Sequence, residues 1–504
     1  MILLALLPIA VVLVLMVGFR MGAAKAGPVG WLAAMAVAAL FFGAGSKLVL
    51  LAQVKAALLA LFVLYIIWMA LLFYYVISEA GVIETLGAHL PALTPDRGLQ
   101  ALILAWGFGS FLQGISGFGV PTAIVAPMLV GLGFAAVPAV VAAGIGHAWA
   151  VTFGSLASSF LALIAATGRS GAELALPAAA LLGVACFGCG AAVLLATGGR
   201  AALWRQAPAL TGLGAVMSAV QYGVAALGIY PLAAATAGLA GLGASVLLAR
   251  WQSRSRVGEP AAATPLSLRL ALAPYLILIL IVGAARLSPG LGALLNAVTI
   301  RTQFPELRTA RGYVTPAESG RTISVFGHAG ALLLYTALAA FALFRSTGHI
   351  AHGAGSRIAR LTLRRSINPT IGTLTMVGMA VVMEHAGMTR LLAEGIGGVA
   401  GGAFPLAAPF IGALGALMTG SNTNSNVVFQ NNTAALLDIA PAIILAAQTT
   451  GGALGAAFAP AKVIVGCSTV GLGGQEGGVL KATLGYGLAL VLLIGIVAWV
   501  WANA

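Results

Sequence analysis

Gln113-Gly114-Ile115-Ser116-Gly117-Phe118-Gly119-Val120-Pro121 interrupts a long apolar stretch with small, polar and helix-breaking residues. Thr419-Gly420-Ser421-Asn422-Thr423-Asn424-Ser425-Asn426 does the same to a second one. The stretches around them, residues 99–134 and 405–437, hold 36 and 33 residues. A helix needs about 20 residues to cross about 30 Å of hydrocarbon, so each stretch is too long for one crossing and too short for two. Two arms of about fifteen residues would each reach roughly 22 Å, to the middle of a bilayer and back. Both stretches are therefore expected to form re-entrant hairpins with polar tips. Irregular backbone at membrane depth survives only where it lines a cavity or is buried in protein. A matched pair of such breaks is the best pointer that a sequence gives to a transporter's binding site.

The whole composition agrees. Of 504 residues, 61% are hydrophobic and 7% charged, with a mean hydropathy of +1.06; a soluble domain carries about 25% charged residues. The 67 glycines suit close helix packing in lipid. The net charge of +14 does not indicate nucleic-acid binding, because Lys and Arg are spread through the connections between apolar segments rather than clustered on a soluble module. Residues 2–19 read as a first span rather than a cleavable signal: there is no basic leading region and no small-residue cleavage pattern. Cys186, Cys189 and Cys467 read as small core residues, with no disulfide framework and no metal site.

The fold class is thus an all-α polytopic membrane protein with about twelve transmembrane helices and two re-entrant hairpins. The spans are 2–19, 28–45, 55–77, 136–166, 178–196, 209–227, 230–249, 270–285, 326–344, 368–383, 439–465 and 482–501. With the N-terminus outside, inner connections hold fifteen Lys and Arg and outer ones nine, five of the nine in the long loop 286–325; Lys462 lies within a span. The basic stretch from Arg345 to Arg365 decides the orientation, with both termini outside. The two halves, 1–249 and 268–504, flank a Ser/Ala/Pro-rich cytoplasmic connector, 250–267. Repeat 1 consists of span 55–77, hairpin 99–134 and broken helix 136–166. It is expected to recur upside down as repeat 2, with span 368–383, hairpin 405–437 and broken helix 439–465.

At a hairpin tip, helix ends leave backbone N–H groups without intrahelical partners, and a helix N-terminus binds a carboxylate without a full cation. The first tip offers the backbone and side chains of Ser116, Gly117, Phe118 and Gly119; the second offers Ser421, Asn422, Thr423 and Asn424. The broken helices add His147, Thr152 and Ser155 in one repeat and Gln448, Thr449, Thr450, Gly451 and Gly452 in the other. His147 and Thr450 stand equally far after Pro138 and Pro441. A histidine within a span is a candidate proton carrier, with a neutral, hydrogen-bonded imidazole as the alternative. Lys462 can attract a substrate carboxylate or snorkel to the interface, the second being the plainer reading. No metal-ligand spacing, cofactor motif or nucleophile elbow is present.

Together these motifs resemble the bacterial lactate permease family. The resemblance is strongest over residues 107–156 and 418–474. It rests on Ser116-Gly117-Phe118-Gly119-Val120-Pro121, Met128-Leu129-Val130-Gly131-Leu132-Gly133-Phe134, Val151-Thr152-Phe153-Gly154, Thr419-Gly420-Ser421, Ser425-Asn426 and Gly451-Gly452. It implies a symporter of the bacterial cytoplasmic (inner) membrane for L-lactate, D-lactate or glycolate, driven by protons. It also implies kinship with carboxylate carriers whose paired hairpins have tips similar to Ser421-Asn422-Thr423. Three positions depart from the family pattern, each in charge. Asn422 stands where an Asp commonly follows Gly-Ser, His147 where an Asn is usual, and Lys462 near where a Gln is usual.

The expectation is a proton-coupled importer of a small 2-hydroxy monocarboxylate working by alternating access, with the carboxylate, protons and the lipid bilayer as its partners. A sodium-coupled carrier and an anion channel are the alternatives. An enzyme would need convergent acids or metal ligands inside the membrane, and the sequence offers neither. A homodimer is compatible with this reading and is left open.

Overall fold

The computed structural model describes every residue except 20, 83, 86–93, 116, 118, 168, 254–265, 321, 401–402, 424, 427–440 and 504. Helix dominates. The chain opens with α1 (Ile2–Leu13), which passes through a π turn into α2 (Ala23–Phe41) and α3 (Ser46–Glu79). The first polar stretch folds as α4 (Arg97–Ala101), a π-helical segment (Leu102–Phe108), α5 (Gly109–Ile115) and α6 (Val120–Gly131). Then come α7 (Ala136–Gly146), α8 (Gly154–Thr167), α9 (Gly171–Arg205), α10 (Ala207–Ala226), α11 (Tyr230–Ser253), α12 (Leu268–Leu287) and α13 (Pro289–Leu295). After six short strands follow α14 (Ala329–Ser346), α15 (Ala354–His385), α16 (Met388–Ala400), α17 (Phe404–Thr419), α18 (Pro441–Gly455), α19 (Pro460–Thr469) and α20 (Glu476–Asn503).

Among the described residues, nine helices are long and apolar enough to cross a membrane. The other three expected spans appear as shorter apolar helices: α1, the pair α7/α8, and α14. The chain is a multi-pass membrane protein. Two helices outrun their hydropathy windows. α3 begins nine residues before Lys55, and α15 begins fourteen before Asn368, because Arg357, Arg360, Arg364 and Arg365 make its first turns polar without breaking them.

The long loop 286–325 carries order that hydropathy does not reveal. Strands β1 (Thr299–Ile300), β2 (Gln303–Phe304), β3 (Leu307–Arg308), β4 (Val314–Thr315), β5 (Glu318–Ser319) and β6 (Ile323–Ser324) pair as β1–β6, β2–β5 and β3–β4. This nested antiparallel order is one long β-ribbon, turned at Gly312 with φ +85°. The ribbon is tied to the bundle. Ala310 N–H donates to Gly43 O at 2.8 Å, and Lys55 Nζ meets Glu318 at 2.6 Å and Glu384 at 3.5 Å. The start of α3 and the end of α15 therefore share one face of the molecule, the ribbon face.

Glu79 and Arg357 are paired at the other end of the same two helices. α7 runs antiparallel to α19, with Val140 against Gly466 and Gly144 near Ala457, so Ala136 also lies on this opposite face. Here the first stretch both begins and ends. Asp96 caps Leu99 N–H at 3.0 Å and pairs with Arg205 at 2.6 Å. Burial works against the Asp96 carboxylate, but Leu99, Arg205 and Gln206 outweigh it and hold its pKa below the usual range. Arg97 donates to Leu132 O at 3.2 Å and lies 4.7 Å over the Phe134 ring. A chain that touches its own beginning after thirty-odd residues is a helical hairpin. α17 starts from the other side, with Leu406 against Gly495 late in α20. It descends to Gly420, whose φ of +70° ends the helix. The returning arm of this second stretch, from residue 427, and the middle of the connector 250–267 lie outside the described residues.

One helix break falls elsewhere than the sequence suggests. α7 ends at His147, as the Pro-Ala count predicts. Gln448–Gly452 instead stay helical within α18, and the break comes at 456–459, immediately before Pro460. Proline disfavours helical backbone in the residue before it, and Ala459 is extended (φ −65°, ψ +131°). Gly451 and Gly452 serve packing instead: a methyl on Gly451 would sit 1.9 Å from Pro409 O on α17.

Candidate functional site

Both hairpin tips rest on α19. A methyl built on Gly119 would meet Val465 at 3.5 Å, and one on Gly420 would meet the Ala461 methyl at 3.5 Å. Four residues of helix, about 6 Å of rise, separate these contacts, and Lys462 lies between them in sequence. Gly117 has φ +67°, and a methyl there would fall 1.5 Å from Ser155 Oγ, so neither the backbone nor the space admits another residue.

Beside the tips is a cavity of about 440 Å³. Its inner wall is Gln113 from the first hairpin, Val151, Ser155, Ser158 and Ser159 from the first broken helix, Gly420 to Thr423 from the second tip, and Lys462. Its outer wall is Phe62, Asn296, Thr299, Arg301, Thr322, Ser324, Gly327 and His328, reaching the base of the β-ribbon. The cavity therefore faces the ribbon side.

A lattice of neutral side chains fixes the second tip. Asn422 Nδ2 donates to Thr152 Oγ1 at 3.1 Å and Thr449 Oγ1 at 3.4 Å. Asn426 Nδ2 reaches Thr449 Oγ1 and Ser159 O, both at 2.9 Å. Ser159 and Thr423 hydroxyls lie 2.9 Å apart, and Ser425 donates to Gly412 O at 2.8 Å. Thr152 donates to Thr449 O at 3.3 Å. Two broken helices and one tip are thus joined through Thr152, Asn422 and Thr449. Asn422 Oδ1 and Gln113 Oε1 are buried and lack a partner among the described residues. Such atoms carry a desolvation cost unless something occupies the space they face.

Lys462 is 6% exposed. Among the described residues, neither a carboxylate nor a hydrogen-bond acceptor holds its ammonium. It lines the cavity rather than reaching for an interface, so the snorkelling reading of the sequence does not hold. A buried cation without a partner is costly, and a bound carboxylate removes that cost.

The expected site residues divide. Gly117, Gly119, Thr152, Ser421, Asn422, Thr423 and Thr449 converge around the tips. Ser116, Phe118 and Asn424 lie outside the described residues. His147 and Thr450 do not line the cavity: His147 Nδ1–H donates to Ala143 O at 2.7 Å, and Thr450 to Ala446 O at 2.7 Å. Their equivalence by counting from proline fails because the second break lies later in the chain. His147 Nε2 is buried without a partner among the described residues. Gln113, Ser158, Ser159, Arg301 and His328 join the site without having been expected. The spacing of Ser155, Ser158 and Ser159 along α8 is a one-face signal that was available; nothing marked Arg301.

Apolar helices, two of them interrupted beside a polar cavity, are the build of a membrane transporter. A match over residues 1–503 shows that the chain belongs to the L-lactate permease family. It is 26% identical to the L-lactate permease of Bacillus subtilis strain 168, over 96% of this chain and 92% of that protein. It is 28% identical to the L-lactate permease of Salmonella typhimurium strain LT2, over 92% and 89%. The glycolate permease GlcA of Escherichia coli K12 is 25% identical, over 86% and 83%. Among solved structures, the YdaH transporter of Alcanivorax borkumensis is similar at a TM-score of 0.31 and 14% identity, covering 87% of this chain and 85% of that one. That likeness is too slight to carry an argument about topology.

Proposed function

We propose that the protein is a proton-coupled symporter of the bacterial inner membrane that imports a small 2-hydroxy monocarboxylate, lactate or glycolate. The observation that carries this reading is Lys462, without a partner among the described residues, in the wall of a hydroxyl-lined cavity. The ammonium takes the carboxylate in a charge-assisted contact. Ser421, Thr423, Ser158, Ser159 and Gln113 can bond the 2-hydroxyl and the second carboxylate oxygen. A first hairpin entering from one face, a second stretch whose first arm enters from the other, and a broken helix after each support an inverted repeat and alternating access. The ribbon face is then outside, with both termini.

His147 is the proposed proton carrier, because its Nε2 is the one ring atom left to accept a proton. Proteoliposomes should accumulate labelled lactate under an inward proton gradient. His147→Ala should reduce that uptake more than exchange between equally loaded compartments; equal losses would reduce His147 to a structural role. A second reading, sodium coupling, is favoured by one feature. The neutral oxygens of Asn422, Thr152 and Thr449 cluster near the C-terminal end of α17, whose dipole favours a cation. Uptake that follows a sodium gradient and ignores a proton gradient would select it. An anion channel would fail to accumulate lactate against its gradient at all.

A further inference from the structure

On the opposite face lies a second cavity of about 320 Å³, between residues 361–369 of α15 and the far end of α19 with the residues just after it. Its walls include Arg364, Arg365 and Asn368 on one side and Ser468, Gly471 and Gly473 on the other. α19 thus carries Lys462 in the ribbon-side cavity near its start and Ser468 in this one near its end. The separation is six residues, about 9 Å along the helix. The wall between them is Val463, Ile464, Val465, Gly466 and Cys467, all buried. Val465 bears the Gly119 tip, and Gly466 packs on Val140 and Thr122.

We propose that this second cavity is a release vestibule, an anion site in which Arg364 and Arg365 hold the carboxylate after it leaves Lys462. This rests on the transport reading above and adds where the substrate goes. Arginines on a cytoplasmic face are ordinarily explained by membrane orientation alone, but these two also line a concavity with no carboxylate in its walls among the described residues. The C-terminal end of α19 contributes about half a negative charge here, which two guanidinium groups outweigh. Planar guanidinium groups also match a carboxylate in geometry. One turn and a half of helix is then the barrier between the two waiting positions, and rearrangement of the hairpin tips on α19 is what opens it.

The test is the double variant Arg364→Gln/Arg365→Gln in proteoliposomes with oriented protein, with labelled lactate supplied from either face. KM from the α15 face should rise by about fivefold or more at low ionic strength, and the difference should shrink as salt screens the charges. KM from the ribbon face should stay within about twofold of the wild type, since those arginines are far from that mouth. That unchanged value also reports intact folding. Arg364→Lys/Arg365→Lys should recover part of the loss. Equal changes on both faces, or no change on either, would overturn the proposal while leaving transport intact. Wild-type protein that moves lactate from neither face would overturn the transport reading and this one with it.

Discussion

Between α7 and α8 the chain leaves regular α-helix over residues 147–153, whereas between α18 and α19 it does so only over 456–459. The longer break carries polar His147 and Thr152 and is followed at once by strained backbone. It brings Thr152 to the second tip, and just beyond it Ser155 and Ala157 hold φ values of +50° and +61°, which L residues rarely adopt. The shorter break is apolar and relaxed, made by a single proline, and its product is the placement of Lys462. A similar device is thus reached by two routes: one donates hydroxyl groups from an irregular segment, the other a cation from the first turn of a new helix. If this division of labour is right, damage to the second break should fall on substrate affinity and damage to the first on the shape and movement of the site.

The largest effect is expected at Lys462. Lys462→Met removes the cation without leaving a polar atom behind. A hydrogen bond to a charged group contributes about 1.5–3 kcal/mol, so KM for lactate should rise by about 10- to 100-fold. Lys462→Arg should keep part of the affinity. A Met variant with wild-type KM would show that the tips bind the anion through backbone dipoles alone.

Gly452→Ala tests whether the second tip depends on the close approach of α18. The added methyl would fall 2.2 Å from Asn422 Oδ1, a distance real carbons do not adopt, so Asn422 must turn out of its bonds to Thr152 and Thr449. Uptake should fall by about tenfold, the equivalent of one to two lost hydrogen bonds, with the protein still inserted and extractable. Unchanged uptake would mean that the Asn422 position is dispensable. Thr449→Val is milder, because it keeps the shape while removing the oxygen shared by Asn422 and Asn426. A loss of about 1–2 kcal/mol in stability should appear as a lower melting temperature in detergent, with Thr449→Ser close to wild type.

These residues also show what could be read from sequence and what could not. The first stretch was legible as a return because interrupted hydrophobicity at a given length has few solutions in a bilayer, and Arg97 reaches Leu132 O at 3.2 Å; the returning arm of the second lies outside the described residues. The tip residues Ser421, Asn422 and Thr423 were legible because neutral polar clusters are rare in apolar sequence. For Lys462 the sequence favours snorkelling, and the structure overturns it: a lysine near a span end looks the same whether it faces lipid or a cavity, and only packing decides. The second break was misplaced for a related reason. Gln448-Thr449-Thr450-Gly451-Gly452 looks like a break on propensity, but the glycines let α17 and α18 touch, and Pro460 was the true signal. The β-ribbon went unseen because its paired segments are two residues each, too short for any alternation to register.

The finest distinction between the two sites is the strain just beyond the first break, and it can be separated from contact by substitutions of opposite sign. Ala157 is fully buried with φ +61°, a conformation that costs an L residue about 1–2 kcal/mol. Ala157→Gly removes that cost, and the greater freedom of glycine in the unfolded chain takes back about 0.5–1 kcal/mol. The variant should be slightly more stable, by a degree or two in melting temperature. Ala459, at the other break, has ordinary extended backbone (φ −65°), so Ala459→Gly gains no relief and should lose about 0.5–1 kcal/mol. Strain held at a functional site is commonly part of the movement there. A stabilised Ala157→Gly protein should therefore also transport more slowly at saturating lactate, with KM little changed. If it is stabilised and transports at the wild-type rate, the first break is a static scaffold and the asymmetry between the two breaks is one of chemistry alone.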